Sequence, residues 1–97
     1  MADFMKFDGE KIRYELVPPA VIKDIAKVLT FGAQKYEAHN WQNVDDPNRY
    51  IGALYRHLEA WRQGEEFDDE SGFSHLAHAA TNIAFLIELG VNPKEWK

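Results

Sequence analysis

The sequence predicts an all-α domain with three main helices, an irregular N-terminal arm, and a core completed by oligomerisation. Three observations carry this. Apolar residues recur at helical spacing in three separate stretches of the 97-residue chain. Proline and glycine punctuate those stretches where helices start and stop. The apolar surface on two of the helices is wider than one neighbour can cover. The chain reads as a single domain over 1–97, with an arm at 1–18, a helical core at 19–90 and a tail at 91–97.

The arm lacks periodicity. Asp8-Gly9 suggests a turn, Pro18-Pro19 ends the segment, and Lys6, Lys11 and Arg13 make it basic. An extended arm or a short hairpin is expected there. The first helix, α1, is expected from Pro19 to Tyr36. Ile22, Ile25, Leu29 and Ala33 form one apolar strip, and Val21, Val28 and Gly32 form a second beside it. The second helix, α2, starts at Asp46-Pro47, a capping residue followed by a first-turn proline, and ends near Gly64. Ile51, Leu54, Leu58 and Trp61 are its expected core stripe, with His57 at the edge and Arg49, Arg56 and Gln63 opposite. The third helix, α3, is expected from Phe73 to Leu89, stopped by Gly90 and Pro93, with Leu76, Ala80, Ile83, Leu86 and Ile87 as apolar residues. Trp41 and Trp61 read as core rather than as base-stacking residues, and His39 as an ordinary loop residue. Two or more chains packing together would finish such a bundle.

Composition narrows the function. The chain has no cysteine, so disulfides and thiolate metal sites are excluded. A net charge of −5 opposes a broad contact with duplex nucleic acid. No apolar run suggests a signal peptide or a membrane span, so no membrane partner is expected and the cytoplasm is the default location. An acidic site can still accept a nucleotide when a divalent cation lies between carboxylates and phosphates.

The chemistry-bearing residues converge. His75, His78 and Asn82 fall within roughly 60° of one another on α3 at about 100° per residue, which makes a polar stripe on an apolar helix. Just before it, Glu65, Glu66, Asp68, Asp69 and Glu70 crowd into one loop, a charge that calls for a cation or a basic partner. His57 on α2 would face α3 if the two helices are antiparallel. Carboxylate oxygens suit Mg²⁺ or Mn²⁺, and imidazoles shift the preference toward Mn²⁺ or Zn²⁺ or act as bases.

Several strings resemble a known family. Arg56-His57-Leu58-x-Ala60-Trp61, Gly64-Glu65, Asp68-x-Glu70-Ser71-Gly72 and His75-Leu76-Ala77-His78-Ala79-x-x-Asn82-x-x-Phe85-Leu86 look like the small MazG-like dATP/dGTP diphosphohydrolases of phages and bacteria. Lys6-x-Asp8, Lys11-x-Arg13, Leu16-x-Pro18 and the stretch from Gly32-Ala33-x-Lys35-Tyr36 to Asn40-Trp41 resemble the rest of that domain. The resemblance implies an all-α, oligomeric, metal-dependent pyrophosphohydrolase that cuts nucleoside triphosphates between the α and β phosphates. The chain departs from the usual MazG pattern of E-E-x-x-E on one helix and E-x-x-D on the next. It offers Arg56, His57 and Ala60, then His75 and His78. Either the acidic loop supplies the carboxylates, or the metal differs, or the function has changed.

The resulting expectation is hydrolysis of purine nucleotides such as dGTP and dATP to the monophosphate and pyrophosphate, with Mg²⁺ or Mn²⁺ as cofactor and Zn²⁺ left open. Glu65, Asp68, Glu70, His75 and His78 are the expected metal ligands. His57, His75, His78 and Asn82 are the expected catalytic residues, and Lys11, Arg13, Lys35 and Arg56 the expected substrate contacts. The expected partners are the nucleotide and further copies of the chain, in the host cytoplasm if the protein is phage-encoded. The alternative is a non-catalytic phage accessory protein that binds a host partner through the acidic loop.

Overall fold

The computed structural model describes residues 11–95. The expected Asp8-Gly9 turn and Lys6 lie outside that range. The described part is helical: α1 spans Pro19–Lys35, α2 spans Asn48–Arg62 and α3 spans His75–Leu89. Short 3₁₀ turns occupy Tyr14–Leu16, Asn40–Asn43 and Pro93–Glu95. Among the described residues β pairing is limited to one isolated bridge, Phe67 to Ser74. In the described part of the arm, residues 11–18, Tyr14–Leu16 form one 3₁₀ turn, and the rest of the expected arm lies outside the described residues. None of the described helices is long and apolar enough to cross a membrane.

The helix ends follow local chemistry. Pro47 already has helical dihedrals, φ −59° and ψ −17°, and the Asp46 carboxylate accepts from the Asn48 N–H at 3.0 Å. Asp46 therefore performs the capping expected of it. Gly90 takes φ +67° past the end of α3, where its N–H closes on Ile87 O. The third helix begins two residues later than expected. Ser74 is extended, and its hydroxyl accepts from the Leu76 N–H at 3.0 Å. Phe73 is held in the preceding loop, where its carbonyl accepts from the Asp68 N–H at 2.8 Å.

Side-chain pairs give the packing. His57 lies against His75 and His78, while Tyr50 lies against Phe85, so α2 and α3 run antiparallel. The first helix packs on α3, and Phe31 meets Phe73 edge-on at 6.0 Å. Trp41 stacks on Phe85 at 4.8 Å, and the Tyr50 hydroxyl donates to Trp41 O at 2.6 Å, which ties the 3₁₀ loop to both helices.

Burial does not follow the apolar stripes. The buried residues of α3 are His75, Ala77, Ala79, Thr81 and Asn82, so the polar stripe faces inward. Leu76, Ile83 and Ile87, among the apolar residues expected on this helix, are 43%, 44% and 74% exposed. Leu58 and Trp61 of α2, expected in the core, are exposed, as are Val21, Ile22 and Leu29 of α1. A buried histidine and asparagine are tolerable because their polar atoms are bonded, and small alanines beside them let the neighbouring helices approach.

Candidate functional site

The site begins in the loop between α2 and α3. This loop folds back on itself: Asp68 N–H donates to Phe73 O, His75 N–H to Glu66 O, and Gly72 N–H to Asp68 O. Gly72 takes φ +77°, a conformation that costs a side-chain-bearing residue about 1 kcal/mol or more, and so permits the tight return. The acids of the loop thereby acquire separate directions. Glu65 reaches His75, Asp68 turns inward onto Ser71, and Glu70 pairs with Lys35 on α1. The loop's charge is thus partly answered within the chain.

Three histidines meet behind this loop. His57 Nδ1 and His75 Nδ1 are 2.8 Å apart, and His75 Nε2 lies 2.9 Å from Glu65 Oε2. The rings of His57 and His78 stack at 4.6 Å with 9° between their planes. Asp68 joins them. Ligand atoms of His57, Asp68 and His75 all lie within 4.8 Å of one another, so this group can hold a metal ion.

Ser71 organises the other side. Its backbone N–H and its hydroxyl both donate to Asp68 Oδ2, at 2.9 and 3.0 Å. With that proton committed, Ser71 Oγ accepts from His78 Nε2–H at 2.6 Å and from the Phe73 N–H at 3.2 Å. His78 is left with Nδ1 as its basic nitrogen. This is not a nucleophilic serine arrangement, because the carboxylate holds the serine proton rather than the far nitrogen of the imidazole.

The electrostatics favour neutral imidazoles at His57 and His78. His57 is held below the ordinary histidine range by burial first, then by His78 and His75. His78 is also held below it by burial, with Asp68 pulling the other way. Burial pushes Asp68 up, but the bonds from Ser71 and the nearby His78 and His57 outweigh it and hold the carboxyl below its usual range. The bond to Glu70, then Tyr36, raises Lys35, which stays cationic.

A cleft of about 1030 Å³ opens beside this cluster, between α1, the 3₁₀ loop and α2. Lys35 and Arg56 place cationic groups on it, Trp41, Tyr50 and Phe85 give it an aromatic wall, and His78 and Glu70 border it. His78 therefore stands at the cleft's edge with its ring against His57.

The expected site residues divide accordingly. His57, His75, His78, Glu65 and Asp68 come together, and Glu70 sits nearby on Lys35. Lys35 and Arg56 line the cleft. Asn82 is buried and turned onto its own helix, with Nδ2 donating to His78 O at 2.8 Å, and it does not line the cleft. Arg13 pairs with Glu15 on the surface, and neither Arg13 nor Lys11 borders the cleft. Sequence reasoning gave Ser71 no role of its own; its signal was the Asp68-x-x-Ser71 spacing, which favours a local carboxylate–serine turn.

Comparison with known proteins gives a match over nearly the whole chain. The sequence profile of the family described as dATP/dGTP diphosphohydrolase, N-terminal, matches residues 2–97. A dATP/dGTP diphosphohydrolase of Salmonella phage PMBT28 is 36% identical over 85 residues, covering 88% of this chain and 29% of that protein. The chain thus spans less than a third of the relative's length. No solved structure matches it.

Proposed function

This chain belongs to the dATP/dGTP diphosphohydrolase N-terminal family, and from that premise we propose that it is a metal-dependent nucleoside triphosphate pyrophosphohydrolase. Its substrates are purine deoxynucleotides such as dGTP and dATP, and its products are the monophosphate and pyrophosphate. One observation carries the reading: a cleft with cationic and aromatic walls ends at a histidine whose neighbours form a metal-capable cluster.

Lys35 and Arg56 bind phosphate oxygens by charge-assisted hydrogen bonds, and the aromatic wall at Trp41 takes the base. His78, neutral at pH 7 and fixed by Ser71, accepts a proton from water through Nδ1. The water oxygen bonds to the α phosphorus, and the α–β bridging bond breaks with its electron pair leaving on pyrophosphate. His57, His75 and Asp68 would hold a divalent metal, which supplies neutralisation of phosphate charge and a more acidic water.

The exposed apolar residues of α1, α2 and α3 support a homo-oligomer, because a single chain leaves Ile22, Trp61 and Ile87 in water. The accessory-protein alternative gains less from the loop, since Glu65, Asp68 and Glu70 already have partners within the chain. Incubation with each nucleoside triphosphate and divalent metal, with products separated by chromatography, tests the assignment. Monophosphate and pyrophosphate from dGTP or dATP are expected.

A further inference from the structure

We propose that His57 and His75, through their Nδ1 atoms, and Asp68 form a nitrogen-rich site that selects a first-row transition metal, from Mn²⁺ to Zn²⁺, over Mg²⁺, with Glu65 positioning His75 from outside the ligand set. The inference rests on the reading above only in taking this group as the protein's metal site, and it stands without hydrolysis.

The hydrogen bonds fix the tautomer. His75 is nearly buried, and its Nε2 meets a carboxylate, so Nε2 carries the proton and donates it to Glu65. Nδ1 is then a bare lone pair that accepts from His57 Nδ1–H at 2.8 Å, and metal binding would replace that bond, the His57 proton moving to its Nε2. A carboxylate behind an imidazole is the usual support for a metal-bound histidine, because it sets the ring's orientation and raises its basicity. Two nitrogens bound to one ion at about 2.0–2.1 Å lie about 2.9 Å apart at an octahedral right angle and about 3.3 Å apart at the tetrahedral angle, so the 2.8 Å pair needs to open by only a fraction of an ångström to take an ion. Asp68 adds an oxygen. Both of its hydrogen bonds from Ser71 go to Oδ2, and among the described residues Oδ1 accepts none. Mg²⁺ prefers oxygen ligands and keeps its waters, whereas two imidazoles and one carboxylate suit the later divalent ions. Glu70, with its charge on Lys35, and His78, with Nε2 on Ser71, are not needed for this set.

The test uses the full chain stripped of metal by a chelator and titrated with Co²⁺, followed by visible absorption and calorimetry. One Co²⁺ per chain is expected, displaced by Zn²⁺ at comparable concentration, by Mn²⁺ only in excess, and not by Mg²⁺ in roughly 1000-fold excess. His57→Gln should lose most of the Co²⁺ affinity. Glu65 is half-exposed, so Glu65→Ala should still fold, with a Tm lowered by the stranded His75 Nε2–H, while its Co²⁺ affinity falls about 10–100-fold. If His57→Gln fails to fold, Glu65→Ala decides. No Co²⁺ on the folded parent, displacement by comparable Mg²⁺, or parental affinity in folded Glu65→Ala would overturn the proposal. Co²⁺ binding as expected without hydrolysis of any nucleotide would support it and remove the enzyme reading instead. Mg²⁺-supported hydrolysis without Co²⁺ binding would do the reverse.

Discussion

Replacing Ser71 by alanine removes one oxygen that serves three hydrogen bonds. The Ser71 hydroxyl donates to Asp68 and accepts from His78 Nε2–H and the Phe73 N–H. A fully buried donor left without a partner costs about 1–3 kcal/mol. The His78 side chain keeps 14% of its exposure, so water recovers part of that cost. Taking about 1 kcal/mol for each stranded donor gives about 2 kcal/mol in all. For a domain of this size that is a fall in Tm of roughly 8–16 °C. Circular dichroism melts of Ser71→Ala and Ser71→Thr against the parent, at one fixed protomer concentration, measure it. Threonine keeps the oxygen and should recover most of the loss. Turnover in Ser71→Ala should fall as well, because His78 loses the contact that sets its tautomer. A melt within about 2 °C of the parent would refute the assignment of Ser71 as the organiser of Asp68 and His78.

Lys35→Met should weaken nucleotide binding about 10–100-fold, as expected for one charge-assisted phosphate contact, and steady-state KM measures it. Its Tm should move by only a few degrees, since the Lys35–Glu70 pair is exposed; an unchanged KM would remove Lys35 from the substrate site. Acidification should destabilise the metal-free protein. The folded state holds His57 and His78 below their ordinary range of 6.5, so the unfolded chain binds more protons and stability falls as pH drops through 6.5 toward the folded values. Asp68, held below 3.8, adds a second loss as pH falls from 3.8 through its folded value. A Tm that stays flat or rises from pH 7.5 to 5 would contradict the histidine part. Light scattering at micromolar concentration should show a mass at least twice 11.2 kDa, and a monodisperse monomer would sink the oligomer proposal.

The three helices were legible because their signals are local. Asp46-Pro47 caps α2 and Gly90 ends α3 as the spacing implied, and His75, His78 and Asn82 do share one side of α3. Which side of α3 would be buried was not legible. Leu76, Ile83 and Ile87 stood out as apolar residues of the helix, yet the inward face carries His75, Ala79 and Asn82. Apolar spacing reports surface that wants covering, and it does not say whether the same chain provides the cover. The loop acids were legible as a charge cluster but not as individuals. Their separate directions toward His75, Ser71 and Lys35 arise from the turn at Gly72 and from the placement of α1, which are tertiary facts.

Hydrolysis of dGTP and dATP by the purified chain tests the central claim most directly. The protein would be incubated with each nucleotide and Mn²⁺, and the nucleotide products and pyrophosphate would be quantified together, beside a His78→Ala control shown to be folded. The account predicts equal amounts of deoxynucleoside monophosphate and pyrophosphate, with turnover largely lost in His78→Ala. Release of inorganic phosphate and the diphosphate, of triphosphate and the nucleoside, or of no product at all, would contradict it.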